Sequence, residues 1–219
     1  LREEYISNGY YNIEISKEIK IDSENRAAID LHINQNNKIQ IASMSISGSS
    51  IYSEKELVKL FAIGEADNIL LNLFTKRDSF NESKFQLGIQ ALNNKYLNAG
   101  FMDFKIIDIS RNFNENNEEM DIQIQIDEGL QYKLGEINFN GETGSLSSEN
   151  LRKLFTLKKG DTFNRQTIVD DIQKVIDSYA DLGYAYADVR PTTSDFLDSI
   201  NVDINISLNK KVYINRILI

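Results

Sequence analysis

The chain has 219 residues, with 24 Lys and Arg against 33 Asp and Glu, a formal charge of −9 and a pI of about 4.8, so it lacks the basic surplus with which a protein displaces counterions from nucleic acid. A mean hydropathy of −0.37 with 41% hydrophobic residues supports a core, yet no run reaches the roughly 18 apolar residues that a spanning helix needs. Zero cysteines exclude disulfides, thiolate metal sites and cysteine nucleophiles, a single histidine, His32, argues against His-dependent chemistry, and no Gly-rich phosphate loop or nucleophile motif occurs.

In chain order, a first helical pattern closes at Asn8-Gly9-Tyr10, where Gly suits a left-handed cap. A strand runs on directly from Tyr10 to Ser16, and an alternating segment follows with Ile29, Leu31 and Ile33 on one side and His32 on the polar side. The next strand carries Ile39, Ile41, Met44 and Ile46 at steps of +2, +3 and +2, with Gly48 two residues on. Its +3 step breaks strand alternation and predicts a bulge or a change of face. The first pair is expected at a domain junction and the second in the core.

Ser53, with Glu56 three residues later, forms a capping box that opens a short helix through Leu57, Leu60 and Phe61. The connection from Gly64 to Phe80 holds a dense apolar cluster, Ile69, Leu70, Leu71, Leu73 and Phe74, which reads either as a short helix folded under its own domain or as an exposed binding contact. A longer helix places Phe85, Ile89, Leu92 and Tyr96 on one face and ends at Ala99-Gly100-Phe101. The strand from Phe101 to Ile107 stays apolar as far as Ile109. Asn112 to Asp121 is acidic but lacks the spacing of a calcium loop, so it reads as a solvated hairpin turn. The strand after it alternates Met120, Ile122, Ile124 and Ile126 with Asp121, Gln123 and Gln125.

The same order then recurs. Tyr132, Leu134, Ile137 and Phe139 repeat the +2, +3, +2 steps and precede Gly141. Ser147 or Ser148 leads into Leu151, Leu154 and Phe155; a longer helix carries Ile168, Ile172, Val175 and Tyr179; and Leu182-Gly183-Tyr184 closes it. The next strand, from Tyr184 to Arg190, is expected to end at Pro191, the only proline, and the last strand alternates Ile200, Val202, Ile204 and Ile206 with Asn201, Asp203 and Asn205. Val212, Ile214, Ile217 and Ile219 begin the pattern once more.

Counting between landmarks shows a repeat of strand, helix, helix, strand, strand. The spacing from the helix-ending Gly to the next repeat is 30 residues (Gly9 to Ile39), 32 (Gly100 to Tyr132) and 29 (Gly183 to Val212). The copies differ mainly between the helices, where Phe61 to Phe85 spans 24 residues and Phe155 to Ile168 spans 13. The chain therefore reads as a piece of a longer protein, holding the end of one repeat, two whole repeats and the start of a fourth. Adjacent acidic pairs, Asp170 with Asp171 and Glu118 with Glu119, do not share a helical face and make no acid/base pair.

This order, the tandem arrangement, and the phrases Gly183-Tyr184-Ala185-Tyr186 and Gln131-Tyr132-Lys133-Leu134 resemble the polypeptide-transport-associated (POTRA) domains of bacterial outer-membrane assembly factors. The resemblance implies an α+β fold of tandem POTRA domains, each βααββ with a three-stranded mixed sheet covered on one face by two helices. The expanded connection resembles the third domain of such an arm. That implies the end of the second domain at 1–37, the third at 38–129, the fourth at 130–209 and the first strand of the fifth at 210–219. A further implication is a non-catalytic arm on the periplasmic face of the outer membrane, without cofactor or metal, anchored in the parent protein by a C-terminal β-barrel. Its partners would be unfolded outer-membrane β-barrel proteins and accessory assembly lipoproteins.

An exposed sheet edge can take up an extended peptide as a further strand. Family architecture places the second strand of each domain at an edge, which makes Lys105, Ile106, Ile107, Asp108 and Ile109 the candidate partner contacts, with Leu71 and Phe74 as a possible client contact. The opposing reading has a bulge turning Ile107 and Ile109 into the core. Two other functions stay open: the arm of a translocation-assembly or two-partner-secretion transporter, which usually carries fewer than the four repeats implied here, and a carboxylate-dependent cell-wall enzyme.

Overall fold

A computed structural model of the chain describes residues 1–23, 26–61 and 79–213. It divides into two compact units, Leu1–Asn93 with Lys105–Glu128, and Asn94–Phe104 with Gly129–Ile219. Among the described residues no helix is long and apolar enough to cross a membrane.

The first unit starts with helix α1 (Arg2–Ser7) and an antiparallel hairpin of β1 (Glu14–Ile21) and β2 (Ala27–Asn34). Its sheet has the order β3-β5-β4, with β3 (Gln40–Ser47) parallel and β4 (Lys105–Phe113) antiparallel to the central β5 (Glu119–Asp127). Helices α2 (Glu54–Val58) and α3 (Glu82–Asn98) lie between β3 and β4 in sequence. The capping box of α2 forms as its sequence dictates, Ser53 accepting from the Glu56 N–H and Glu56 accepting from the Ser53 N–H. On α3, Phe85 and Leu92 are fully buried, as are Met120, Ile122 and Ile124 of β5.

The second unit repeats the plan with β6 (Lys133–Gly141), α4 (Ser148–Arg152), α5 (Arg165–Asp181), β7 (Asp188–Phe196) and β8 (Ser199–Ser207), in the sheet order β6-β8-β7. Ser147, not Ser148, caps α4. The apolar stripe of α5, Ile168, Ile172, Val175 and Tyr179, packs with Leu151 against Ile200, Val202, Ile204 and Ile206 of β8, forming one core. Both sheets are thus three-stranded and mixed, with helices over the apolar face.

The landmark counts have a physical cause. Ile39 donates its N–H to the Gly9 carbonyl at 2.9 Å, Tyr132 to Gly100 at 2.8 Å, and Val212 to Gly183 at 2.9 Å, so each spacing is the span of one backbone hydrogen bond. The Ile39 and Tyr132 carbonyls in turn accept from Phe80 and Phe163. At Gly100, with φ of 90°, a Cβ would approach the Tyr132 carbonyl oxygen to 2.8 Å, which only glycine avoids.

The two +3 steps among the described residues coincide with breaks in register, between Ile41 and Ser43 and between Leu134 and Ile137, and the third, from Ile214 to Ile217, lies outside the described residues. In the second set the expected division into a junction pair and a core pair needs correcting. Leu134, from the first pair of its set, lies in the core of its unit, while Ile137 and Phe139 are only partly buried against it. In the first set one residue of each pair is buried, Ile39 before the break and Ile46 after it, so the bulge does not shift burial the same way in both repeats.

The second strand of each repeat also begins later than its apolar pattern suggests. Tyr10 to Ile13, Phe101 to Phe104 and Tyr184 to Ala187 form turns, and pairing starts five residues after each signature Gly, at Glu14, Lys105 and Asp188. Nor does β7 end at Pro191. It continues to Phe196, with Pro191 paired to Ile204.

Candidate functional site: an open sheet edge

Strand β4 is the outer strand of its sheet, and among the described residues no strand pairs with its far side. Lys105 stands opposite Asp127 and Ile106 opposite Ile126; the register then shifts, and Asp108 and Ile109 stand opposite Gln125 and Ile124. Ile107 is the extra residue of this bulge. Although the bulge exists, it puts neither Ile107 nor Ile109 in the core: Ile107 is 54% and Ile109 36% exposed, while Ile106 is half-buried. Lys105 and Asp108 are exposed. The five candidate residues therefore share one strand segment, four of them at the surface. Leu71 and Phe74 lie outside the described residues.

The second repeat shows what β4 lacks. Ile124 is paired to Ile46 on its parallel side and Ile204 to Phe139, so these central residues correspond, and so do their antiparallel partners, Ile109 and Pro191. Val189, opposite Ile206, corresponds to Ile106. One residue separates Val189 from Pro191 and two separate Ile106 from Ile109, which is the bulge. Counting forward from Gly100 and Gly183 pairs Ile109 with Thr192, and the bulge makes that alignment wrong. Because Pro191 keeps its place in the ladder with no N–H to give, its nitrogen faces away from β8, as proline in an edge strand does. At the same place β4 presents an Ile109 N–H directed away from β5.

A clamp unseen in the sequence holds β4 to its helix. Arg111 donates to both oxygens of Glu82 on the first turn of α3, at 3.0 and 3.1 Å, and its guanidinium lies 5.1 Å from the Phe80 ring centre and 4.9 Å from that of Phe85. Burial pushes the Glu82 carboxyl upward, but the Arg111 and Gln86 hydrogen bonds and the Arg111 charge outweigh it, and the pKa is lowered. Tyr11 packs against Phe80 and Phe113, and burial is the main cause of its raised pKa. Glu82 and Arg111 are 29 residues apart, so no local pattern announces them.

Another carboxylate closes the far end of the sheet. Glu128, 8% exposed, accepts from the Ser49 and Ser50 hydroxyls and from the Ile51 N–H. Burial again acts to raise its pKa, and these hydrogen bonds prevail and lower it. The second repeat reverses the direction of this tie, with the Leu208 N–H donating to Glu142 at 3.3 Å.

The remaining sequence candidates have structural surroundings. His32 is exposed on β2, paired with Ser16. Asp171 is fully buried and accepts from the Thr156 N–H, the Thr156 hydroxyl and Lys174, pinning the loop after α4 to α5.

Comparison with known proteins gives a coherent result. The family described as POTRA, surface antigen variable number repeat, matches residues 39–129 and 132–211. The outer membrane protein assembly factor BamA of Neisseria meningitidis serogroup B is 28% identical over 219 residues, 99% of this chain and 27% of that protein. Its namesake from Nitratidesulfovibrio vulgaris is 26% identical over 98% of this chain and 27% of its own length. The chain thus spans about a quarter of these curated relatives. The crystal structure of Haemophilus influenzae BamA POTRA3-5 shares the fold, with a TM-score of 0.57 and 18% identity over 94% of this chain and 76% of that one.

Proposed function

The chain belongs to the POTRA family, and from that premise we propose that it is a non-catalytic binding arm of an outer-membrane protein assembly factor, whose β4 edge takes up segments of unfolded β-barrel proteins as an added strand. The relatives named as assembly factors support the setting, and the open edge with exposed Ile107 and Ile109 is the observation that carries the binding mode. The arm stands on the periplasmic face of the outer membrane, its parent is anchored by a C-terminal β-barrel, and accessory assembly lipoproteins dock on it. Residues 1–37, 38–129, 130–209 and 210–219 correspond to the end of the second, the whole third and fourth, and the start of the fifth domain.

Strand addition suits such clients, since each is a chain of future strands whose backbone groups need partners before its own sheet closes. No covalent step is involved, only exchange of water for ladder hydrogen bonds. Titrating the chain with a peptide copied from an outer-membrane barrel strand, while following backbone amides from Phe101 to Arg111 by NMR, tests this reading. Shifts confined to β4 are expected; amides that stay still at saturating peptide would overturn it.

A further inference from the structure

The open edge has two unlike sides. After the bulge, Ile109, Arg111 and Phe113 stand opposite Ile124, Ile122 and Met120, all buried, and Arg111 lies over Phe80 and Phe85, so this row is on the helix-covered face. Asp108, Ser110 and Asn112 alternate with them, opposite Gln125, Gln123 and Asp121. They continue the polar face that Ser43, Ser45 and Ser47 supply from β3. That face holds Asp108, Glu119, Asp121 and Asp127 against Lys105. The inner row ends at the rim in two part-exposed apolar side chains, Ile109 at 36% and Phe113 at 40%, on either side of the clamped Arg111.

We infer that the β4 edge selects the alternation of the strand it adds: it accepts a segment with apolar side chains at every second position, turned to the helix side beside Ile109 and Phe113, and with neutral or basic polar side chains between them. This rests on the strand-addition reading above. A strand added about 4.8 Å away brings its inner side chains against Ile109 and Phe113 and removes their remaining surface from water. Polar residues in those positions would be desolvated against Ile109 and Phe113, with the intervening Arg111 already engaged by Glu82. A slip of one residue turns the whole apolar set outward, so only alternate registers are productive. The break at Ile107 leaves Asp108 to Phe113 as the uninterrupted template, six residues with three positions on each face. On the outer face, the acidic surplus disfavours a strand carrying carboxylates there.

The test uses the 219-residue chain and three labelled eight-residue peptides, read by fluorescence anisotropy. One alternates Val with Thr and Lys; a second has the same composition in blocks of two; a third is the alternating peptide with Glu for Lys. The alternating peptide is expected to bind about tenfold tighter than the blocked one, and the Glu version about threefold weaker than the Lys version at low salt. Ile109→Asn should bring the alternating and blocked peptides within about twofold of each other while the chain keeps a cooperative melt well above the assay temperature. Equal binding of alternating and blocked peptides to the unmodified chain would overturn the selection while leaving strand addition standing. A preference that survives Ile109→Asn removes Ile109 from the role, and failure of all three peptides sinks strand addition itself.

Discussion

Along the central strands of the two sheets, Met120, Ile122, Ile124 and Ile126 match Ile200, Val202, Ile204 and Ile206, and all eight are buried. The strands beside them differ. β4 carries a bulge, an exposed Ile107 and an Ile109 at its rim, whereas β7 pairs without interruption from Asp188 to Phe196 and has Pro191 where β4 has Ile109. A central strand is held by neighbours on both edges and by the helix layer, so its inward residues have little freedom to change. An outer strand loses nothing in its own sheet when its free side is altered, and one residue can decide whether that side offers a donor. The two repeats thus show one scaffold with an open edge and a blunted one.

The largest effects test the shared part. Ile124→Ala and Ile204→Ala should each lower stability by about 2–5 kcal/mol in urea denaturation, since both leave a cavity beneath the helices. A cost in one repeat alone would break the equivalence of the cores. Next comes the tie that the repeats make in opposite directions. Glu128→Gln weakens a buried carboxylate held by several donors and should cost about 1–3 kcal/mol, against less than about 1 kcal/mol for Glu142→Gln with one long hydrogen bond. The Glu128 pKa is lowered in the folded chain, so its stabilisation is complete above the unfolded glutamate value of about 4.3 and is lost as the pH falls through the folded value. In thermal melts the gap between the unmodified chain and Glu128→Gln should therefore be full at neutral pH and narrow as the pH is taken down from about 4.3.

Arg111→Ala, which removes the bidentate ion pair of the half-buried Glu82 and leaves it the Gln86 hydrogen bond, should cost about 1–2 kcal/mol, whereas Thr193→Ala at the corresponding place on β7 should stay within about 0.5 kcal/mol. The smallest change in stability goes with the largest change in binding. Exchanging the rim residues, Ile109→Pro and Pro191→Ile, should shift the thermal midpoint by no more than about 0.5 kcal/mol allows, because proline already sits in the ladder of β7. Peptide-induced amide shifts in β4 should disappear with Ile109→Pro. Shifts that persist in that variant would separate binding from the Ile109 N–H.

Much of this plan was legible in the residues. The 3.6-residue stripe of α5, the alternation of β5 and β8, the Ser53 and Glu56 capping box and the +3 steps are all local patterns, and local patterns report which face a residue takes. The β4 bulge was half legible: Ile106 and Ile107, adjacent and both apolar, break alternation, but nothing in the order shows which is the extra residue. Partners remote in sequence were silent, such as Glu82 for Arg111 and Ser49 and Ser50 for Glu128.

By itself, then, the sequence determined the two whole repeats, their element order and the inward faces of their helices and central strands, because backbone geometry imposes periods of two and 3.6 on whatever must be buried. Only the tertiary structure decided which isoleucines stay bare and which nitrogen faces outward. Periodicity assigns a side chain to a face, but exposure at the rim depends on what lies across the sheet, and that is set by pairing between strands far apart in the chain.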